Sequence, residues 1–328
     1  HTRCAIVTGV HVCSSDLRKI YQGMANPNKT LIIVTGPTAS GKTELSIQLA
    51  KALNTEIISA DSRQFYREMK IGTAIPTKKQ MNAVPHHFIG HLSIHEPYNV
   101  SDFEQDVLIK LDELFQQFDY VILTGGSGLY LDAVSKGIDD MPDIPARIRR
   151  SVDQKFREYG LDYLRDYLQK VDPVYYSEVD INNPNRMKRG VEIYEATGKP
   201  FSSFRKKTSQ KRDFKILKFG LLWERELLNE RINRRTDEMM RQGWLEEARG
   251  LLSYRQLNAL NTVGYKELFA FLDGNMSLEQ AVEKIKTQTR RYAKRQMTWL
   301  KRDHEIHWVD INENPVDDIL RTISRSEE

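Results

Sequence analysis

The eight residues Gly36-Pro-Thr-Ala-Ser-Gly41-Lys42-Thr43 constrain this chain more than any other stretch. They fit the pattern G-x-x-x-x-G-K-[ST] of a phosphate-binding loop. Residues 31–35 before them, Leu-Ile-Ile-Val-Thr, read as a buried strand. Leu45, Leu49 and Leu53 after them recur at helical spacing, so strand, loop and helix follow in the required order. Gly36 and Gly41 permit a tight loop whose backbone N–H groups converge at the positive end of the helix dipole, a concavity for phosphate oxygens. Gly36, Pro37, Thr38, Ala39, Ser40, Gly41, Lys42 and Thr43 are therefore the candidate diphosphate site. Lys42 would lie on the terminal phosphates, and the Thr43 hydroxyl is the candidate Mg²⁺ ligand. The loop implies a di- or triphosphate and no particular reaction.

The 328 residues suffice for one large domain or two smaller ones. With 40% apolar and 29% charged residues the composition is that of a soluble globular protein, and no apolar run reaches the ~18 residues of a membrane span. The two cysteines, Cys4 and Cys13, leave the body of the chain without a disulfide framework or a cysteine zinc site, which fits a reducing, cytoplasmic setting. Residues 1–23 lack a secretory pattern and precede Met24, so they read as a leader foreign to the native protein or a disordered extension.

Along the chain, residues 55–60 form a second strand candidate ending at Asp61-Ser62-Arg63-Gln64. A carboxylate beyond the end of a parallel strand lies where α/β folds hold ligands, although Asp61 also suits a helix N-cap. His86, His87, His91 and His95 are broken up by Pro85, Gly90 and Pro97 and read as surface or core-edge residues rather than metal ligands. Ser101 with Glu104 resembles a capping box opening a helix that carries Phe103, Val107, Leu111, Leu114 and Phe115. The strand at 120–124 runs into Gly125-Gly-Ser-Gly128, where a motor or GTPase would have a metal-binding Asp.

From 141 to 215 there are seventeen Lys/Arg against eleven Asp/Glu, with interleaved tyrosines and helical patterning. This reads as an all-helical insertion offering a surface to nucleic-acid phosphates, or a solvated charged face. Strand character returns at 216–223 and is followed by a helix with Leu227, Leu228, Ile232 and Met239. Residues 284–302 hold eight Lys/Arg and no acid. Like charges four apart on a helix cost a few tenths of a kcal/mol per pair, a repulsion that an anion would relieve. A last strand is expected at 306–309, with a fraying acidic end. The fold class is thus α/β, a P-loop kinase-like parallel sheet with an all-helical insertion. The expected divisions are 1–23, 24–140, 141–213, 214–312 and a tail at 313–328.

Eight stretches taken together carry a resemblance. They are the loop at 36–43, Ser59-Ala-Asp-Ser-Arg-Gln64, Ile71-Gly-Thr-Ala74, Gly125-Gly-Ser-Gly-Leu-Tyr130, Asn185-Arg-Met-Lys-Arg189, Thr197-Gly-Lys-Pro-Phe-Ser202, Val263-Gly-Tyr-Lys-Glu267 and Lys294-Arg-Gln-Met-Thr-Trp-Leu300. In this order they resemble the bacterial tRNA dimethylallyltransferases over nearly all of residues 30–310. The resemblance implies transfer of a dimethylallyl group from its diphosphate to N6 of adenosine 37 in the tRNA anticodon stem-loop. Diphosphate leaves, with Mg²⁺ as cofactor, in a cytoplasmic monomer with no membrane or protein partner. It also implies Asp61 as general base, with Lys42, Thr43, Ser127 and Arg290 as further catalytic groups and Arg295 as the alternative diphosphate contact. The implied RNA contacts are Asp61, Ser62, Arg63, Gln64, Ser127 and Arg149, then Asn185, Arg186, Met187, Lys188 and Arg189, then Asn261, Thr262, Val263, Gly264, Tyr265 and Lys266. Gln64 and Ser127 are expected to read the base. Ile75 and Ser127 depart from the family's usual Lys and Thr. A small-molecule kinase, an enzyme prenylating free adenylate and a non-catalytic RNA-binding module are the competing readings.

Overall fold

The computed structural model describes residues 28–205 and 210–326, together with an antiparallel ribbon of β1 (Cys4–Val7) and β2 (Val10–Cys13). The rest of the expected leader at 1–23, and the last two residues of the acidic end, lie outside the described residues. The main sheet contains β3 (Thr30–Thr35), β4 (Ile57–Ser59), β5 (His86–His87), β6 (Tyr120–Gly125), β7 (Lys215–Leu222) and β8 (Ile306–Asp310). Their order is β5-β4-β6-β3-β7-β8 and every pairing is parallel.

Side chains alternate across a strand, so a parallel sheet buried on both faces needs apolar residues at consecutive positions. Strand β3 provides them. Leu31 and Ile33 join one core, with α3 (Val100–Phe115), α4 (Gly128–Lys136), α9 (Trp244–Leu251) and α10 (Tyr265–Leu272). Ile32 and Val34 join the other, with α1 (Lys42–Ala52) and α12 (Pro315–Arg325). The remaining helices are α2 (Lys78–Ala83), α8 (Arg225–Arg241) and α11 (Leu278–Leu300) in this part, and α5 (Ala146–Val171), α6 (Pro173–Glu178) and α7 (Pro184–Thr197) between β6 and β7.

Two local expectations change. The box that opens α3 is Asn99 with Asp102, two residues before the expected pair, and both reciprocal bonds form. The expected tail contains α12, which starts at Pro315 and buries Ile319 and Ile323. Its acidic composition masked an apolar pair at four-residue spacing.

The chain divides into two compact units, residues 1–135 with 211–328, and residues 136–210. The second unit is all helical among its described residues and packs around Val152, Leu164, Leu168, Tyr175, Met187 and Val191. Buried Asp172 stitches it together, accepting from Tyr175 N at 3.0 Å and from Ser202 N and Oγ at 2.8 and 2.6 Å. Among the described residues no helix is long and apolar enough to cross a membrane.

Candidate active site

The loops that follow β3, β4 and β6 leave the same edge of the sheet, where the strand order reverses about β3. They carry the phosphate-binding loop, Asp61 and Ser127 respectively.

Gly36 has φ +152°, and a Cβ there would meet Ser40 Oγ at 3.0 Å and Leu221 Cβ at 3.3 Å. Only glycine admits this close turn. The loop is braced from outside. Arg231 Nε donates to Ala39 O at 2.9 Å, Trp223 Nε1 donates to Ser40 O at 2.9 Å, and the Arg231 guanidinium lies 4.4 Å from the Trp223 ring centroid. Holding the carbonyls outward leaves the N–H side for an anion. Gly41 is the N-cap residue of α1 and offers no side-chain cap, so the first N–H groups of the helix keep their donor capacity. Ser40 Oγ is buried with no hydrogen-bond partner in the protein. This cradle fits a diphosphate.

Lys42 Nζ donates to Pro37 O at 2.7 Å. Burial lowers its pKa to about 8, against the opposing pull of Asp61, while Arg235 lowers it further. Arg235 Nη1 lies 3.3 Å from Thr38 Oγ1, and burial lowers its pKa while the Asp61 charge raises it. The expected arginines have other partners. Arg290 donates to Asn233 Oδ1 at 2.6 Å and Thr287 Oγ1 at 2.9 Å, and exposed Arg295 lies 5.8 Å from the Tyr292 ring centroid. Arg235 is the functional candidate that sequence reading missed. Arg231 and Arg235 are like charges four apart flanking buried Ile232, the same signal that singled out the late basic helix.

Asp61 Oδ1 accepts from Arg63 N at 3.0 Å, a turn that holds the carboxylate half-exposed. Its charge is felt by Lys42, Arg235, Tyr130 and Tyr292. Tyr292 is 37% exposed, yet protein crowding about its hydroxyl pushes its pKa up to about 12, Asp61 adding to the effect and the Ser127 side chain opposing it. Among the described residues no group of three His, Cys, Asp or Glu could hold a metal. Thr43, with Asp61 nearby, is too thin a donor set for an all-protein cage. It suits Mg²⁺ carried mainly by diphosphate oxygens.

The expected RNA contacts separate by burial. Ser62 and Ser127 are half-buried; Asn185, Arg186, Arg149, Asn261 and Lys266 are exposed. Lys188 donates to Asp153 at 2.6 Å, and half-buried Arg189 has its pKa lowered by burial, with Glu192 opposing. Arg63 donates to Asn258 O and Ala259 O at 2.9 and 3.0 Å. Gln64 accepts from Ser59 Oγ and donates to Thr73 O and Ala74 O, so its whole amide is engaged within the protein.

Three expected contacts are corrected. Met187 is 0% exposed in the core of the helical unit, because its position on α7 turns it onto Leu164 and Leu168. Tyr265 is 0% exposed and donates to Glu247 at 2.6 Å. Gly264 is buried against the Trp244 ring. Thr262 and Val263 are half-buried beside them, with Val263 packed on the core.

A model of the family described as IPP transferase matches residues 64–303. The chain belongs to that family. It is accordingly a prenyltransferase. It is 52% identical over 284 residues to the tRNA dimethylallyltransferase of Christiangramia forsetii, covering 87% of this chain and 94% of that one. The crystal structure of the full-length tRNA isopentenylpyrophosphate transferase from Bacillus halodurans matches with TM-score 0.65 and 35% identity, over 90% of this chain and 96% of that one. A eukaryotic dimethylallyltransferase caught acting on tRNA matches with TM-score 0.72 and 27% identity, over 90% of this chain and 79% of that one. The parallel sheet with its surrounding helices is thus the fold of this family of enzymes.

Proposed function

We propose that this chain transfers the dimethylallyl group of dimethylallyl diphosphate to N6 of adenosine 37 in the tRNA anticodon stem-loop. The observation that carries this reading is Asp61 facing a cationic cradle of loop N–H groups, Lys42 and Arg235. The adenine N6 lone pair is delocalised into its ring and attacks carbon poorly, and its proton becomes acidic only as the N–C bond forms. The Asp61 carboxylate takes that proton. The C–O bond breaks as the new bond forms, and the charge left on the diphosphate is met by the loop N–H groups, Lys42 and Arg235. Mg²⁺, held on the protein side by the Thr43 hydroxyl, would neutralise further diphosphate oxygens. Ser127, on the loop after β6 and acting with Asp61 on the Tyr292 hydroxyl, orients the everted base, an eversion costing a few kcal/mol. This chemistry belongs in the cytoplasm, with tRNA as the partner.

Incubating the protein with labelled dimethylallyl diphosphate and Mg²⁺, and either tRNA or AMP, tests the reading. Label should enter tRNA alone. Label in AMP, or transfer of the terminal phosphate of ATP in a parallel tube, would overturn it.

Two predictions concern the expected basic side chains. Arg235→Ala should lower kcat/KM by about 10²–10³-fold, the effect of removing one donor from a developing anion, while Arg290→Ala should stay within about tenfold of the parent. Equal losses would return the role to Arg290. On the helical unit, Arg149 and Arg186 are exposed, whereas Lys188 is paired with Asp153. Changing both arginines to Ala should reduce the slope of log affinity for tRNA against log salt by about 1–2, and Lys188→Ala should change it less. An unaltered slope in the double variant would make this face merely solvated.

A further inference from the structure

Gln296 sits about one turn before the C-terminal end of α11, buried, on a face whose neighbours Ala293 and Leu300 are apolar. An amide buried there costs free energy unless its polar atoms find partners. They do, in two separate loops of the active site. Gln296 Oε1 accepts from Thr38 N at 2.9 Å, and Nε2 donates to Gly126 O at 2.7 Å. A Cβ on Gly126 would lie 2.3 Å from Nε2 and 3.1 Å from Gly36 O, so glycine at 126 is what lets the amide in. The two loops follow β3 and β6, adjacent strands with Thr35 opposite Gly125.

The amide therefore ties the phosphate-binding loop to the loop bearing Ser127. One turn earlier on the same helix stands Tyr292, whose hydroxyl is acted on by both Ser127 and the Asp61 charge. We propose that Gln296 is a positioning residue for the transfer, a two-armed clamp that fixes the diphosphate cradle against the base-facing Ser127 loop. The proposal rests on the function given above and adds a residue to it. Nucleophile and departing oxygen must be aligned on opposite sides of one carbon. A link that sets the spacing of their two loops acts on the rate without touching either group, and about 1 Å of misplacement costs about 10²-fold.

The clamp needs an acceptor on one arm and a donor on the other. Glutamine supplies both at every pH. Glutamic acid supplies both only when protonated, because the carboxylate would turn a lone pair on Gly126 O. In Gln296→Glu, kcat should fall about 10²-fold at pH 8 and recover toward the parent as the pH is lowered to 6. The parent enzyme, which shares Lys42, Asp61, Arg235 and Tyr292, provides the reference profile. In Gln296→Met, similar in length but apolar, kcat should fall by a similar factor at both pH values. Affinity for tRNA should stay within threefold in both variants, since both arms end on backbone atoms of the sheet's own loops.

Inorganic diphosphate binding gives a second readout that does not require transfer. Gln296→Glu should bind it more weakly than the parent, with the deficit larger at pH 8 than at pH 6. Unfolding transitions of all three proteins separate positioning from a loss of folded enzyme. A parent that prenylates nothing would overturn the function while leaving the diphosphate test of the clamp standing. Gln296→Glu with parental kcat and parental diphosphate affinity across the range, or Gln296→Met with parental kcat, would overturn the clamp. So would losses matched by the unfolded fraction alone.

Discussion

Asp61→Asn should abolish all but a trace of transfer, a fall of at least about 10²–10⁴-fold in kcat, while tRNA affinity stays nearly intact. Asparagine keeps the shape of the site because its Oδ1 can still accept from Arg63 N, the bond that now holds the carboxylate at 3.0 Å. What it cannot do is take a proton from N6. Diphosphate affinity should not fall, because Asp61 is a negative charge within reach of Lys42 and Arg235 and its removal lessens repulsion of the incoming anion. Single-turnover transfer of labelled dimethylallyl diphosphate, run beside filter binding of tRNA, makes the comparison. Lost binding with unchanged turnover would remove Asp61 from the role of base and make it an RNA contact.

The strand, loop and helix around Gly36–Thr43 were legible because a phosphate-binding loop uses main-chain groups, whose direction depends on glycine spacing rather than on distant neighbours. Asp61 was legible for a related reason, standing just past the end of a strand beside that loop. Arg235 and Gln296 were not, since each acts from a helix far along the chain and only the packing of α8 and α11 brings them to Thr38. On the late basic helix, charge drew attention to Arg290 and Arg295, while the neutral amide between Ala293 and Leu300 bonds to Thr38 N and Gly126 O. Met187 and Tyr265 failed in the opposite direction. Each lies within a motif whose outer residues are exposed, and linear spacing does not tell which members of a run turn inward.

The Tyr265 error leads to the second large expectation, which concerns Glu247. Its carboxylate accepts from three successive backbone N–H groups, Lys70, Ile71 and Gly72, at 2.9, 2.8 and 2.9 Å, and from Tyr265 Oη at 2.6 Å. Gly72 approaches so closely that a Cβ there would lie 2.2 Å from Trp244 Nε1 and 2.5 Å from Tyr265 Oη. This explains in one contact why Ile71-Gly72 and Gly264-Tyr265, two of the family stretches, occur together. Glu247→Ala would strand the Tyr265 hydroxyl in the core and leave three N–H groups partly shielded from water. It should destabilise the protein by about 3 kcal/mol. Glu247→Gln should recover less than half of that loss, because an amide presents only one acceptor oxygen where both carboxylate oxygens are used. The damage should also reach the site. The anchored turn continues to Thr73 and Ala74, whose carbonyls hold the Gln64 amide, and Gln64 N donates to Asp61 O at 3.0 Å. Hydrogen exchange should therefore quicken at Ile71 and Gly72 first and at Gln64 next, under conditions where β3 stays protected. Denaturant unfolding gives the stability change. A loss below about 1 kcal/mol, the net worth of one ordinary hydrogen bond, would mean that water replaces the carboxylate and that this junction is not what fixes the Asp61 turn.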